Sequence, residues 1–318
     1  MQVQQHQVDR PRTAEPASSG PSALARVVVI IPAFNEERSI GSIVLRLHEL
    51  VETVIVIDDG SQDATAEVAR LAGARVVNHP SNRGYGAAIR TGLAAAKELN
   101  PPAVVLMDAD GQHRVEDVPQ VAQPVLDGQA DVVVGSRFAD ARTRVPAVRR
   151  LAQHGLTWLS NVGSGVRLTD SQSGLRAFGP QAISALMLRS TSMAAASEMQ
   201  FLASEAHLRV QEVPIEIRYF GETKRSAVGH GIDVLNGIIV LVSRRRPLLF
   251  FGLPGLLLVL LALSLGGDVV QTFAKVRILL VGELIVGVAL GIIGTLSLFT
   301  AIVLNALHGL YQELRSRG

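Results

Sequence analysis

Between Leu248 and Leu310 the chain carries only four charged side chains, Asp268, Lys275, Arg277 and Glu283. The whole sequence holds 30 basic and 28 acidic residues, so almost all of its charge lies outside that window. About 20 consecutive apolar residues match the thickness of a bilayer's hydrocarbon core. The window offers two such runs: Leu248 to Gly267 is uncharged, and Ile278 to Leu310 is interrupted only by Glu283. A wholly soluble fold is therefore excluded as an expectation, and the mean hydropathy of +0.30 averages a soluble part with a membrane part. The expected division is a disordered tail over 1–25, an α/β domain over 26–226, a juxtamembrane amphipathic helix over 227–246 and a membrane domain over 247–318. The spans in that last part are expected near 248–267 and 278–304.

Arg244, Arg245 and Arg246 precede the first run, and Arg315 and Arg317 follow the second. The short connection carries Lys275 and Arg277 against Asp268. Basic residues favour the cytoplasmic side. This predicts a two-span hairpin in the cell membrane, with the soluble domain and both termini cytoplasmic. Glu283, one turn inside the second run, reads as a snorkelling interfacial carboxylate. Gly287 and Gly291 form a small-residue step that can seat a neighbouring helix, and this predicts a homo-oligomer through the spans. The net charge of +2 and a pI near 9.3 give no case for a nucleic-acid surface. Zero cysteines exclude disulfides, a thiol nucleophile and a zinc ribbon. The first 25 residues, rich in Gln, Pro, Ser and Ala, lack the apolar core of a signal peptide.

From Val27 onward, short β-branched runs alternate with helical stretches. The runs are VVVIIP, TVIVID, RVVN, AVVLMD and DVVVGS. Runs this uniformly apolar are buried on both faces, as in a parallel sheet with crossover helices, so the expected class is α/β, doubly wound. Ligands of such sheets bind beyond the carboxyl ends of the strands. The residues there are Asn35 and Glu36, Asp58 and Asp59, Asn82, Asp108 and Asp110, and Ser136 and Arg137. Asn35 is sufficiently explained as a helix cap, and Ser61 or Asp63 as another. Residues 145–162 repeat their apolar positions at helical spacing, and two readings stand: a helix lying on the membrane, or one packed on the sheet. A second helical stretch, Gly231 to Val242, runs into the arginine triplet.

The sharpest local feature is VVLMDADGQH, Val104 to His113. In extended chain, residues i and i+2 point the same way, so Asp108 and Asp110 can grip one cation or its phosphate ligands. Two carboxylates with the Gln112 amide carbonyl suit Mg²⁺ or Mn²⁺ as cofactor, with phosphates and water completing the shell. GYGAAI, Gly84 to Ile89, has Ile at its sixth position and follows the third strand, which disfavours a dinucleotide site.

IIPAFNEE, VIDDGSQD, NRGYGAAIRTG, MDADGQH, GSRF and DSQSGLRAF, in that order, resemble the inverting GT-A glycosyltransferases that include dolichyl-phosphate mannose synthase and bacterial polyprenyl-phosphate glucosyltransferases. The resemblance covers about Val27 to Ser226. It implies a Rossmann-like, mostly parallel sheet and a nucleotide-sugar donor held by Pro32, Phe34, Glu36, Asp58, Asp59 and Asp108. It implies metal at Asp108, Asp110 and Gln112, and catalytic roles for Asp110, Asp170 and Arg137. The implied acceptor is a polyprenyl phosphate, a dianion near neutral pH that needs positive charge more than a general base. Arg137, Arg149, Arg150, Arg218 and Lys224 are the candidates to supply it. Asp170 is expected to orient a substrate rather than to remove a proton. Polymer-forming relatives carry Gln-x-x-Arg-Trp, which is absent around Trp158. Two further readings stand beside this one: transfer to a glycolipid hydroxyl, and a non-enzymatic membrane adaptor with a decayed transferase domain.

Overall fold

The structure, a computed structural model, describes residues 22–139, 147–217 and 227–317. The tail reading over residues 1–21, together with Arg218 and Lys224, lies outside them. A seven-stranded sheet carries β1 (Val28–Ala33), β2 (Thr53–Asp58), β3 (Arg75–Asn78), β4 (Val104–Leu106), β5 (Val132–Ser136), β6 (Arg176–Phe178) and β7 (Val210–Pro214). The strand order is β3-β2-β1-β4-β6-β5-β7. Five of the seven coincide with the apolar runs in the sequence, and the α/β expectation holds. Only β6 runs antiparallel, between β4 and β5. The sheet is therefore mixed but mostly parallel, and β6 begins at the edge where its neighbours end.

The uniform hydrophobicity of the strands follows from helices on both faces. Val29 and Ile31 of β1 and Val54 and Val56 of β2 enter one core, packed under α1 (Ile40–Leu47), α2 (Thr65–Leu71) and, further along the sheet, α4 (Val118–Leu126). The alternate residues Val28, Ile30, Ile55 and Ile57 enter the opposite core. That core lies under α3 (Tyr85–Lys97), α6 (Pro180–Ala185) and α7 (Ala195–Glu205). Each such side chain taken from water contributes about 1.5–3 kcal/mol, so neither face tolerates a polar substitution. Gly92 of α3 lies on Ile30 and Ile57, where an added methyl would fall 2.7 Å from Ile57 Cδ1. The absent side chain lets the helix seat directly on the sheet.

α5 (Ala147–Ser164) and α8 (Ala227–Arg245) stand outside the sheet layers. Leu156 and Leu159 of α5 pack with Phe201 of α7 and with Ile238 and Val242 of α8. Trp158 is 66% exposed on the same helix. α5 thus packs on helices rather than on the sheet, with an aromatic left outward.

After Pro247 a π-helical turn, Leu248–Gly252, leads into α9 (Leu253–Val276), and α10 spans Val281–Arg317. Leu248–Val276 and Val281–Leu307 are long and apolar enough to cross a membrane. Their leucines and isoleucines point outward, as with Leu257 at 59% and Ile285 at 63% exposure, unlike those of a soluble core helix. The two helices cross most closely at Gly255 and Gly294, where a methyl on either would lie 2.8 Å from the other's carbonyl oxygen. Gly287 and Gly291 face Leu265 and Ala262 of the same chain. The small-residue step therefore has its neighbour within the hairpin.

Candidate active site

β1 to β5 all point the same way, so their polar ends gather on one edge, joined there by the turn that enters β6. The first two loops interlock. Asn35 adopts a left-handed backbone, φ 57°. Its amide oxygen accepts from Gln62 N at 2.8 Å while its own N–H donates to Ser61 Oγ at 3.0 Å. Asn35 is thus not a helix cap: α1 starts five residues later, at Ile40, while Asn35 is held by Ser61 and Gln62 of the DGSQD turn and Glu36 N donates to Oγ1 of Thr65, the first residue of α2, at 2.8 Å. Asp63 does sit at the start of α2, its Oδ1 accepting from Thr65 N at 3.0 Å.

Asp58 and Asp59 are both buried. Asp58 Oδ1 accepts from Ser61 N at 3.2 Å. Asp59 accepts from Arg83 N at 2.9 Å and Gly84 N at 2.8 Å and sits 2.7 Å from His79 Nδ1. Its carboxylate organises the NRGYG turn. Gly84 holds a φ of +91° against the carbonyl of Thr191, and Gly86 N donates to that same oxygen at 3.0 Å. The 189–191 segment is fixed in turn by the buried carboxylate of Glu198, which accepts from Arg189 N at 3.0 Å and Ser190 N at 2.8 Å.

Asp108 and Asp110 follow β4 at the mouth of this edge. Tyr85 Oη donates to Asp108 Oδ1 at 2.7 Å, and His113 Nε2 lies 3.4 Å from Asp108 Oδ2. Burial alone would raise the Asp108 carboxyl, but these two partners and the Arg137 charge outweigh it and hold it below the ordinary carboxylate value. Asp110 goes the other way: loss of solvation, then the adjacent Asp108 charge, push it up, and Glu36 adds to the negative field. Burial and Asp108 also push the Tyr85 hydroxyl far up, which keeps it a donor. Among the described residues no third His, Cys, Asp or Glu completes a metal cage. Two crowded carboxylates followed by Gln112, whose backbone N–H donates to Asp110 Oδ1 at 2.9 Å, suit a hard cation that takes its remaining ligands from phosphates and water. Asp108, Asp110 and Gln112 therefore fit Mg²⁺ or Mn²⁺.

The turn DSQSG, Asp170 to Gly174, closes over the same edge. A methyl added to Gly174 would sit 2.6 Å from Asp108 Oδ1 and closer still to Oδ2. The turn's backbone therefore lies directly on the metal-type aspartate. Asp170 is fully buried, and Arg137 grips it in a fork, Nε to Oδ2 and Nη2 to Oδ1, both at 2.6 Å. Behind it, Glu212 of β7 accepts from Thr169 N at 2.8 Å and Asp170 N at 3.0 Å. Arg176, fully buried, donates to the carbonyls of Ser173, Ala196 and Ser171 at 3.0, 2.9 and 2.6 Å. Its burial lowers its pKa, which the nearby Asp170 and Asp108 oppose.

The structure thus brings Glu36, Asp108, Asp110, Gln112, Arg137 and Asp170 to one edge. Phe34 and Glu36 are half-buried at its rim, while Pro32 lies within β1, opposite Ile57. Arg149 and Arg150 fall in the first turns of α5. Ile217, the last described residue before the segment holding Arg218 and Lys224, pairs with His113 across an antiparallel bridge. Tyr85, His113, Gly174, Arg176, Glu198 and Glu212 complete this edge without standing out as single residues in the sequence. Gly174 and Arg176 stand inside a motif already singled out, whereas nothing around Glu212 distinguishes it from a surface carboxylate.

The profile of glycosyl transferase family 2 matches residues 28–178. The UDP-N-acetylglucosamine–dolichyl-phosphate N-acetylglucosaminyltransferase of Methanococcus voltae is 33% identical over 215 residues, 61% of this chain and 86% of the relative. The undecaprenyl-phosphate mannosyltransferase of Micrococcus luteus is 31% identical over 225 residues, 66% of this chain and 92% of the relative. Glucosyl-3-phosphoglycerate synthase of Mycobacterium tuberculosis, crystallised with Mn²⁺, UDP-glucose and phosphoglyceric acid, shares the fold. Its TM-score is 0.55 at 22% identity, covering 72% of this chain and 85% of that one. On sequence, fold and the order of its strand-end motifs, the chain belongs to glycosyl transferase family 2.

Proposed function

We propose that the protein is a membrane-bound inverting hexosyltransferase that moves a sugar from a nucleotide diphosphate sugar, of the GDP-mannose or UDP-glucose type, to a polyprenyl phosphate. The observation that carries this is the contact of Gly174 with Asp108. It joins the carboxylates suited to a metal diphosphate to the Arg137–Asp170 pair within one edge. The acceptor class is supported by the relatives that bear polyprenyl-phosphate names and by the two apolar helices.

In this reading Pro32, Phe34, Glu36, Asp58 and Asp59 shape the nucleoside side of the cleft, and Asp108, Asp110 and Gln112 hold Mg²⁺ or Mn²⁺. When bound, the cation offsets the charge that builds on the departing diphosphate. An oxygen of the lipid phosphate forms the new bond to the anomeric carbon as the bond to the nucleoside diphosphate breaks, on opposite faces, so the configuration inverts. The phosphate oxygen is already anionic near neutral pH, so no side chain has to remove a proton. Asp170 fixes the Arg137 fork and the turn beneath the sugar, and Arg137 contributes fixed positive charge to the field that the phosphate meets. Arg149, Arg150, Arg218 and Lys224 add positive charge on the acceptor side. The domain over 26–226 carries the chemistry, the helix over 227–246 lies at the interface, and the hairpin over 247–318 spans the bilayer with both termini cytoplasmic.

The test is incubation of the reconstituted protein with labelled nucleotide sugar and polyprenyl phosphate. A lipid product cleaved by mild acid supports a phosphate-linked sugar. An acid-stable glycolipid would favour a hydroxyl acceptor.

A further inference from the structure

Away from the sheet edge, a cleft of about 450 Å³ opens where the ends of α5, α7 and α8 meet the first turn of the apolar hairpin and α10. Thr157 of α5 touches the DSQSG turn through Ser171. The cleft begins at Gly163 and Ser164, about 10 Å further along that helix at 1.5 Å per residue. It is therefore distinct from the candidate active site. Its lining combines opposites: the charged Glu205, Arg245 and Arg246, the apolar Leu248 and Leu249, and Asn305, a polar residue in the apolar stretch of α10.

The charges in the cleft are unequal. Arg245 forms an ion pair with Glu205. Arg246 uses Nε to donate to the Gly163 carbonyl at 3.2 Å, and among the described residues it makes no ion pair. Among the described residues lining the cleft, Glu205, Arg245 and Arg246 together leave one net positive charge where the first apolar helix begins. Ser204 Oγ donates to the Ser164 carbonyl at 2.7 Å, which ties α7 to α5 where they line the cleft. A single positive charge beside an apolar wall matches a monoanionic phosphodiester with acyl chains. It matches a phosphomonoester dianion less well, and a free phosphate leaves Leu248 and Leu249 without complement.

We infer that this cleft binds the headgroup of an anionic glycerophospholipid, with Arg246 on the phosphate and the acyl chains running along Leu248 and Leu249. The inference rests on the reading that α9 and α10 span a bilayer. A headgroup bound here would fix the height of α5 and α8 relative to the membrane, and hence the height of the catalytic edge above the lipid phosphates.

The test uses the full chain in phosphatidylcholine vesicles doped with phosphatidylglycerol, extracted gently, with retained lipid measured by mass spectrometry. The wild type is expected to retain phosphatidylglycerol above its bulk fraction. Arg246→Gln should lower that enrichment about fivefold, equivalent to about 1 kcal/mol for one basic side chain at an anionic surface. Glu205→Gln removes a negative charge from the cleft lining and should raise it, so a folding defect in the first variant leaves a second readout of opposite sign. Equal enrichment in the wild type and both variants would overturn the inference, as would displacement of the retained lipid by equimolar polyprenyl phosphate or by inorganic phosphate. Flotation of the same vesicles reads the spanning hairpin separately. Protein that fails to float removes both readings, whereas floating protein without enrichment removes only the lipid site.

Discussion

Replacing Gly174 with Ala adds one methyl where the DSQSG turn lies on Asp108. That carbon would fall 2.6 Å from Oδ1 and nearer to Oδ2, whereas carbon and oxygen pack at roughly 3.3 Å or more. Either the carboxylate or the turn must therefore move by about 1 Å. Gly174 is not among the positive-φ residues, so the substitution acts through this overlap and not through backbone strain. A displacement of about 1 Å at a reacting constellation costs about a hundredfold in rate, which is about 2.7 kcal/mol of barrier. Overpacking also removes about 1–3 kcal/mol of stability. The assay is single-turnover transfer from nucleotide sugar to polyprenyl phosphate at saturating Mn²⁺, with thermal unfolding measured in parallel. Gly155→Ala in α5 is the control: a methyl there meets nothing within 4 Å and should be neutral or gain up to about 1 kcal/mol from helix propensity. A Gly174→Ala protein within about threefold of wild-type turnover would refute the argument that the turn and Asp108 form one unit.

Arg137→Met leaves the fully buried Asp170 without its fork. It should lower stability by about 3–5 kcal/mol, seen as a lower midpoint in thermal unfolding; an unchanged midpoint would mean the pair is solvated. Asp170→Asn should reduce turnover more than it moves the pH optimum, and full activity would remove Asp170 from the mechanism. Glu212→Ala frees the Thr169 and Asp170 amides. It should lower kcat by about tenfold with little change in donor KM, while Glu212→Gln, which keeps an acceptor, recovers part of the loss. Because Asp110 is raised, a proton competes with the cation there at higher pH than at an ordinary aspartate near 3.9. Mn²⁺-dependent nucleotide binding should therefore weaken as pH falls through the raised Asp110 value, before Asp108 is protonated. Binding that stays flat until ordinary carboxylates titrate would contradict that order.

The parts of the fold legible in the sequence are those where burial is symmetrical. β1, β2, β4 and β5 are apolar on both faces because helices cover both faces, and their polar ends mark the site edge directly. β6 was not legible: it is three residues long, and its first, Arg176, is a charged side chain buried completely. Local pattern assigns such a residue to the surface, and only the three carbonyls converging on it explain its position. β7 reads Val-Gln-Glu-Val-Pro, without alternation, on a partly exposed edge, so its strand signal is weak, although Glu212 there holds Asp170. Asn35 misled for a related reason. Asparagine before a helix fits a cap, but here its amide is used by a loop 27 residues away. The carboxylates of the site were legible by type. Their partners were not, because contacts such as Tyr85 with Asp108 or Glu198 with Ser190 depend on tertiary packing.

The central claim is that one sheet edge joins a metal-held nucleotide sugar to a lipid phosphate. Its most direct test is transfer by the purified chain, reconstituted in vesicles containing polyprenyl phosphate, against a panel of labelled nucleotide sugars with Mg²⁺ or Mn²⁺. The account predicts one hexose transferred, in a linkage cleaved by mild acid and of opposite anomeric configuration to the donor. Transfer that proceeds unchanged without polyprenyl phosphate, or a product with the donor's configuration retained, would contradict it.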